Sequence, residues 1–246
     1  MSDSAGMVAT GNALPPQDDP VPAYEVKFQR IGVAGAAGLQ IRSLLDRQQY
    51  DDPLGEAEAA GISPACWPLF GQVWPSAQKL ADLMQSWEIG ERRVLEIGCG
   101  LGLASLVIHR RLGNVTASDC HPLAGRFLAE NLALNGLPPM KYAVGNWAGS
   151  NPALGEFDLI IGSDILYERD HPQQLAGFIQ LHAAPSCEVL VIDPNRSNRA
   201  AFNRHLAACG FTLEETPIDA PLDDGSAYRG RLLRYRRRSV TSDELM

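Results

Sequence analysis

The chain has 246 residues, 20% of them charged, and a formal net charge of −8. That length suffices for one large α/β domain with a substantial core, and the acidic balance argues against a protein whose whole surface binds nucleic acid. Lys27, Lys79 and Lys141 are the only lysines, so the positive charge is mostly arginine. The five cysteines, Cys66, Cys99, Cys120, Cys187 and Cys209, lack the C-x-x-C spacing of a zinc site. They suit buried thiols in a reducing compartment, and no metal site is expected from them or from the dispersed histidines. No apolar run approaches the length of a membrane span, and the N-terminus lacks a signal pattern, so a cytoplasmic protein with no membrane partner is expected.

In chain order, residues 1–22 are small, polar and proline-containing, which predicts a disordered tail. Residues 23–90 read as an N-terminal β/α extension. The alternation in Tyr24-Glu25-Val26-Lys27-Phe28 suggests strands, broken by a glycine-rich turn at 32–38. Residues 46–62 form a weakly patterned surface connection. Leu80, Leu83 and Met84 then share one face of a helix over 77–87.

Residues 91–238 alternate strands and helices. Val94–Ile97 is a short apolar run, the mark of a buried strand. Gly98, Gly100 and Gly102 follow, then a helix carrying Leu103, Leu106, Val107 and Leu112, with Gly113 placed to be its left-handed cap. A second strand at 115–118 ends in Asp119. Further strands are expected at 142–144, 157–162 and 188–192, with helices at 122–134 and 172–183. Ser197 is expected to cap a helix running to Cys209. Two strands, 211–218 and 230–237, close the chain as a hairpin, and 239–246 form a flexible tail. This pattern predicts a doubly wound, mostly parallel sheet with a C-terminal antiparallel hairpin, and a ligand at its carboxyl edge.

A strand, a turn without side chains and a helix N-terminus let a nucleoside-bearing ligand approach the backbone. A carboxylate about twenty residues further on, at Asp119, can accept hydrogen bonds from both ribose hydroxyls. The pattern Glu96-x-Gly98-x-Gly100-x-Gly102 departs from G-x-G-x-x-G, because Leu103 stands where the third glycine would be. Glu96 would repel a pyrophosphate but attract the ammonium and sulfonium of S-adenosylmethionine. A nicotinamide-dinucleotide oxidoreductase is therefore the weaker reading. After the strand at 157–162, Ser163 and Asp164 sit at the same edge. An unpaired carboxylate there is costly, so Asp164 should meet a cationic ligand or substrate. On the last strand Leu233 and Tyr235 alternate with Arg234 and Arg236, so the arginine run reads as solvated or edge-guarding side chains.

With those residues in place, the chain resembles the seven-strand S-adenosylmethionine-dependent methyltransferases. More narrowly, it resembles the group containing the calmodulin, electron-transfer-flavoprotein β and valosin-containing-protein lysine methyltransferases. The resemblance runs from about Trp67 to Arg237 and rests on Trp74-Pro75-Ser76, the glycine motif, Asp119, Asn146-Trp147 and Asp164-Ile165-Leu166-Tyr167. It implies a seven-stranded Rossmann-like fold and methylation of a protein lysine. It also implies Asp164 and Tyr167 at the reacting centre, with Trp74, Glu96, Gly98, Gly100, Gly102, Asp119, Asn146, Trp147 and Ser163 around the cofactor. The group usually has Asp where this chain has Asn146, which keeps an acceptor oxygen but removes a charge. The alternatives are a small-molecule amine or another protein side chain as acceptor, or a noncatalytic cofactor sensor. A nucleic-acid acceptor is disfavoured, because Ser-Asp-Ile-Leu replaces the Asn/Asp-Pro-Pro-aromatic motif of that type.

Overall fold

In a computed structural model the described residues are 23–238; both expected tails lie outside them. Strands β1 (Val26–Val33) and β2 (Ala36–Leu44) form an antiparallel hairpin of their own. The connection that follows holds one helical turn, α1 (Glu56–Ala59), and a 3-10 turn over Trp67–Gly71. Helix α2 (Pro75–Ser86) starts on a proline, whose fixed φ and missing N–H suit the first helical position.

The core is a seven-stranded sheet in the order β5-β4-β3-β6-β7-β9-β8. Its strands are β3 (Val94–Ile97), β4 (Val115–Asp119), β5 (Lys141–Val144), β6 (Phe157–Ser163), β7 (Ala183–Asp193), β8 (Thr212–Asp219) and β9 (Arg229–Arg237). The intervening helices are α3 (Leu103–Arg110), α4 (Ala124–Leu134), α5 (His171–His182) and α6 (Arg199–Ala208). Pairing is parallel from β5 to β7, and β9 runs antiparallel to both its neighbours. The chain steps outward from β3 to β5 and then returns to β6 on the other side. The topological switch point, where open α/β sheets hold ligands, is therefore between β3 and β6.

Alternation along the buried strands separates two apolar layers. Val94, Ala117, Leu159, Ile161, Leu190 and Ile192 face α2, α3, α4 and the β1–β2 hairpin. Leu95, Ile97, Ile160, Val189, Leu233 and Tyr235 face α5 and α6. Tyr24, Trp67, Phe70 and Phe127 meet within the first layer, so the N-terminal extension shares the core of the sheet.

Three local expectations need correction. The left-handed residue closing α3 is Leu112, at φ 63, and not Gly113. Gly113 comes next, donating its N–H to the Ile108 carbonyl, and a β-carbon on it would lie 2.6 Å from Ile108 Cγ2. That glycine is required by crowding. Ser197 does not cap α6: the position before the helix is Asn198, whose amide instead donates to the carbonyls of Leu166 and Glu168. The arginines of β9 are not on an edge, since β8 is the outer strand; Arg229 is solvated, its side chain 79% exposed, while Arg231, Arg234 and Arg236 are held by acidic neighbours. Glu188 accepts from Arg92, Arg234 and Arg236, and Arg237 donates to the Ala183 and Ala184 carbonyls at the start of β7.

All five cysteines are free; Cys99 and Cys187 are buried and the other three half-buried. Among the described residues no helix is long and apolar enough to cross a membrane.

Candidate active site

The carboxyl ends of β3, β4, β5, β6 and β7 bring most of the singled-out residues to one edge. Gly98, Gly100 and Gly102 all have positive φ, at 58°, 52° and 72°. Two of them are also places where no side chain fits. A β-carbon on Gly98 would lie 2.9 Å from Cζ2 of Trp147, and one on Gly100 would lie 2.8 Å from the Phe70 carbonyl. The loop is thus closed on one side by an aromatic ring from beyond β5 and on the other by backbone from the N-terminal extension.

Asp119 ties this loop to the next strand. Its Oδ2 accepts the Gly100 N–H at 2.8 Å and its Oδ1 accepts the His121 N–H at 2.9 Å. The residue is 8% exposed, and burial raises its pKa against the pull of those N–H groups. Each carboxylate oxygen has two lone pairs, so each keeps one free for a further donor.

Glu96 points elsewhere than the sequence suggests. Strand alternation turns it to the α3 side, where its Oε2 accepts the Ser105 N–H at 2.8 Å in the first turn of that helix. Burial pushes its pKa up to about 7, only partly opposed by the Ser105 hydrogen bonds. Its immediate partner is the positive end of a helix.

Trp74 is half-buried; its indole donates to the Leu69 carbonyl at 2.8 Å, and the Arg47 guanidinium lies 4.5 Å from its ring centre. The residue of that segment that touches the glycine loop is Phe70, whose ring stacks on His121 at 3.7 Å. Asn146 is exposed and its Oδ1 accepts the Ala148 N–H in a tight local turn. Trp147 and Tyr167 are linked through His171, whose ring meets both edge-on at 4.9 and 4.5 Å.

Ser163 ends β6, and Asp164 follows with φ 54, a conformation few non-glycine residues adopt. Asp164 was expected to await a cation from outside; the chain supplies one. Arg196 Nε donates to Asp164 Oδ1 at 2.8 Å, and Nη2 of the same guanidinium lies 2.7 Å from that oxygen as an ion pair. Burial raises the Asp164 pKa, while Arg196 and then Arg47 work to lower it. Arg196 had no signal beyond a strand end, Asp193-Pro194, that repeats the strand-then-Asp pattern of Asp119.

A groove of about 820 Å³ lies along the outer face of α5. It reaches the glycine loop's surroundings only through Trp147 and brings together no acid and base, so the strand edge remains the candidate site.

The chain matches the family model described as lysine methyltransferase over residues 68–206, more than half its length. It is similar to the electron transfer flavoprotein beta subunit lysine methyltransferase of Rattus norvegicus, 31% identical over 143 residues, 56% of this chain and 55% of that protein. It thus spans about half the length of that relative. It is also similar to EEF1A lysine methyltransferase 3 of Mus musculus, 27% identical and covering 65% of this chain and 71% of the relative. Among solved structures, magnesium protoporphyrin IX methyltransferase from Synechocystis PCC 6803 with bound SAM superposes with a TM-score of 0.51. It is 18% identical and covers 68% of this chain and 86% of that one, a likeness of fold. The glycine loop, Asp119 and Asp164 all fall within the matched segment, and on that match the chain belongs to the lysine methyltransferase family.

Proposed function

We propose that this chain transfers a methyl group from S-adenosylmethionine to the side-chain nitrogen of a lysine in a protein substrate. The observation that carries the reading is the placement of two carboxylates on either side of the glycine loop. Asp119, bound to Gly100 N–H, serves a nucleoside, and Asp164, at the end of the adjoining strand β6, serves a cationic acceptor. The residues suit this donor better than a dinucleotide. Asp119 sets a carboxylate beside the loop, where it would repel a pyrophosphate, and Leu103, 2% exposed, occupies the position a dinucleotide-binding turn gives to glycine.

When bound, S-adenosylmethionine supplies an electrophilic methyl on a sulfonium. The chain's residues do the rest. Asp119 holds the ribose hydroxyls, Trp147 and Asn146 flank the base, Ser163 lines the edge, and Trp74 with Phe70 closes the far side. A lysine amine with a reference pKa of ~10.4 must lose its proton to solvent first, which costs about 4–5 kcal/mol at pH 7. A partly dry site next to a positive donor lowers that cost by disfavouring the ammonium. Asp164 then orients the lone pair in line with the methyl and stabilises the charge left on nitrogen after transfer. Tyr167, 42% exposed, walls the entry of the side chain. The free thiols support a reducing, cytoplasmic setting.

The test incubates purified protein and labelled S-adenosylmethionine with cell extract, with and without nuclease and protease. Label that survives nuclease and is lost on proteolysis supports a protein acceptor. The electron transfer flavoprotein β subunit, named in a relative, is the first purified acceptor to try. Label only in small molecules favours a small amine as acceptor. Tight NADH binding with no heat from S-adenosylmethionine overturns the assignment.

A further inference from the structure

The ends of β6 and β7 are built as a facing pair. β6 finishes at Ser163, followed by Asp164 at φ 54, and β7 finishes at Asp193, after which Asn195 takes φ 66. Two non-glycine residues in left-handed backbone on neighbouring strands cost energy, and such strain gathers where a geometry has to be held. Polar contacts hold this one. Asp164 N–H donates to the Ile192 carbonyl at 2.9 Å. Asp193, fully buried, accepts the backbone N–H of Arg196 at 2.9 Å. That turn returns the Arg196 side chain to Asp164, where Nε and Nη2 converge on the same oxygen, Oδ1. Among the described residues Oδ2 accepts no hydrogen bond. A guanidinium usually grips both oxygens of a carboxylate; this one leaves the second open.

We propose that Arg196 is the positioning residue of the methyl-transfer site: it pins Oδ1 of Asp164, fixing the carboxylate so that Oδ2 faces the acceptor nitrogen. The proposal rests on the lysine methylation reading above. Asp164 is faced by Arg196 and Asp193 from the β7 side, by Arg47 from the segment after β2, and by the Tyr228 hydroxyl, which is bonded to Ser76 ahead of β9. Burial favours a neutral Asp164, while Arg196 and then Arg47 favour the carboxylate. Arg196 is the one in contact. Its side chain is 40% exposed and that of Asp164 9%, so removing the arginine leaves little cavity while exposing the carboxylate to its unfavourable surroundings.

The experiment compares wild type, Arg196→Ala and Arg196→Lys. Asp164 is titrated by carbon-13 carboxylate resonances, assigned with Asp164→Asn. Donor affinity is measured by calorimetry, and methyl transfer by labelling of extract proteins across pH. In Arg196→Ala the Asp164 titration should move up by about 1–3 pH units, the effect of deleting an adjacent opposite charge. Donor affinity should stay within about twofold, and transfer should fall at least about tenfold, as an interaction made at the reacting centre would. Free guanidinium should restore part of the rate. Arg196→Lys should return the titration toward wild type but not the full rate, because an ammonium lacks the fork that fixes the carboxylate plane. An unmoved Asp164 titration, or a rate loss matched by lost donor affinity, overturns the proposal. If wild type itself labels no protein and binds no donor, the methylation reading fails, while the titration still decides the Arg196–Asp164 pairing.

Discussion

Gly98 and Trp147 are fitted to each other: the indole Cζ2 stands where the first carbon of any side chain on Gly98 would come within 2.9 Å. The same position has φ 58, so an alanine there meets both a crowded ring and a costly backbone. Gly98→Ala should weaken S-adenosylmethionine binding at least about tenfold by displacing Trp147, and destabilise the fold by about 1–3 kcal/mol. Calorimetry and urea unfolding measure the two effects. Unchanged donor affinity would mean that the ring does not line the cofactor.

Asp164→Asn keeps the size of the residue and its tolerance of left-handed backbone and removes only the charge. Transfer should drop at least about a hundredfold, the scale of losing a group aimed at developing charge, while donor affinity is nearly unchanged. Equal loss of both would place Asp164 in donor binding. Initial-rate labelling alongside calorimetry separates these outcomes.

Glu96 and His121 set opposing pH dependences of stability. Burial raises Glu96 to about 7, so the folded state holds a proton that the unfolded chain releases near 4.5; its contribution is complete below pH 4.5 and lost as pH rises to about 7. Burial depresses His121 from 6.5 to about 3, so its contribution is complete above pH 6.5 and lost as pH falls toward 3. Across pH 4.5–6.5 the two slopes oppose. Glu96→Gln should therefore gain stability relative to wild type as pH rises through this window, by up to about 3 kcal/mol at pH 7. His121→Phe should gain relative to wild type as pH falls. Urea midpoints at pH steps across the window report both, and parallel profiles for wild type and Glu96→Gln would refute the first.

Leu112 is 93% exposed and left-handed, so its side chain gains no burial while its backbone is strained. Relief of about 1–2 kcal/mol exceeds the roughly 0.5–1 kcal/mol of extra chain entropy a glycine brings. Leu112→Gly should raise stability by about 0.5–1 kcal/mol, seen as a higher unfolding midpoint with donor affinity untouched.

The sheet was legible because its signals are local. Val94–Ile97 is buried on both sides and reads so, and the helix between Gly102 and Leu112 shows its period. What escaped depends on contacts between distant segments. Nothing around Leu112 or Gly113 announces that Ile108 crowds the second of them. Nothing around Ser197 shows that the next residue, Asn198, is drawn toward the carbonyls of Leu166 and Glu168. The direction of Glu96 was recoverable, since alternation with Leu95 and Ile97 turns it to the α3 side. The glycines, Asp119 and Asp164 were visible as residue types at strand ends, whereas the Arg196 contact with Asp164 spans 32 positions and leaves no periodic trace.

The Phe70 carbonyl over Gly100 has a further consequence. One wall against the glycine turn comes from residues that precede the sheet, and those residues are seated through Trp67 on Tyr24 at the foot of the β1–β2 hairpin. Donor affinity is therefore an assay of whether residues 23–72 have docked: loosening the hairpin far from any reacting atom unseats the wall, together with the apolar layer that Leu39, Ile41 and Leu44 complete.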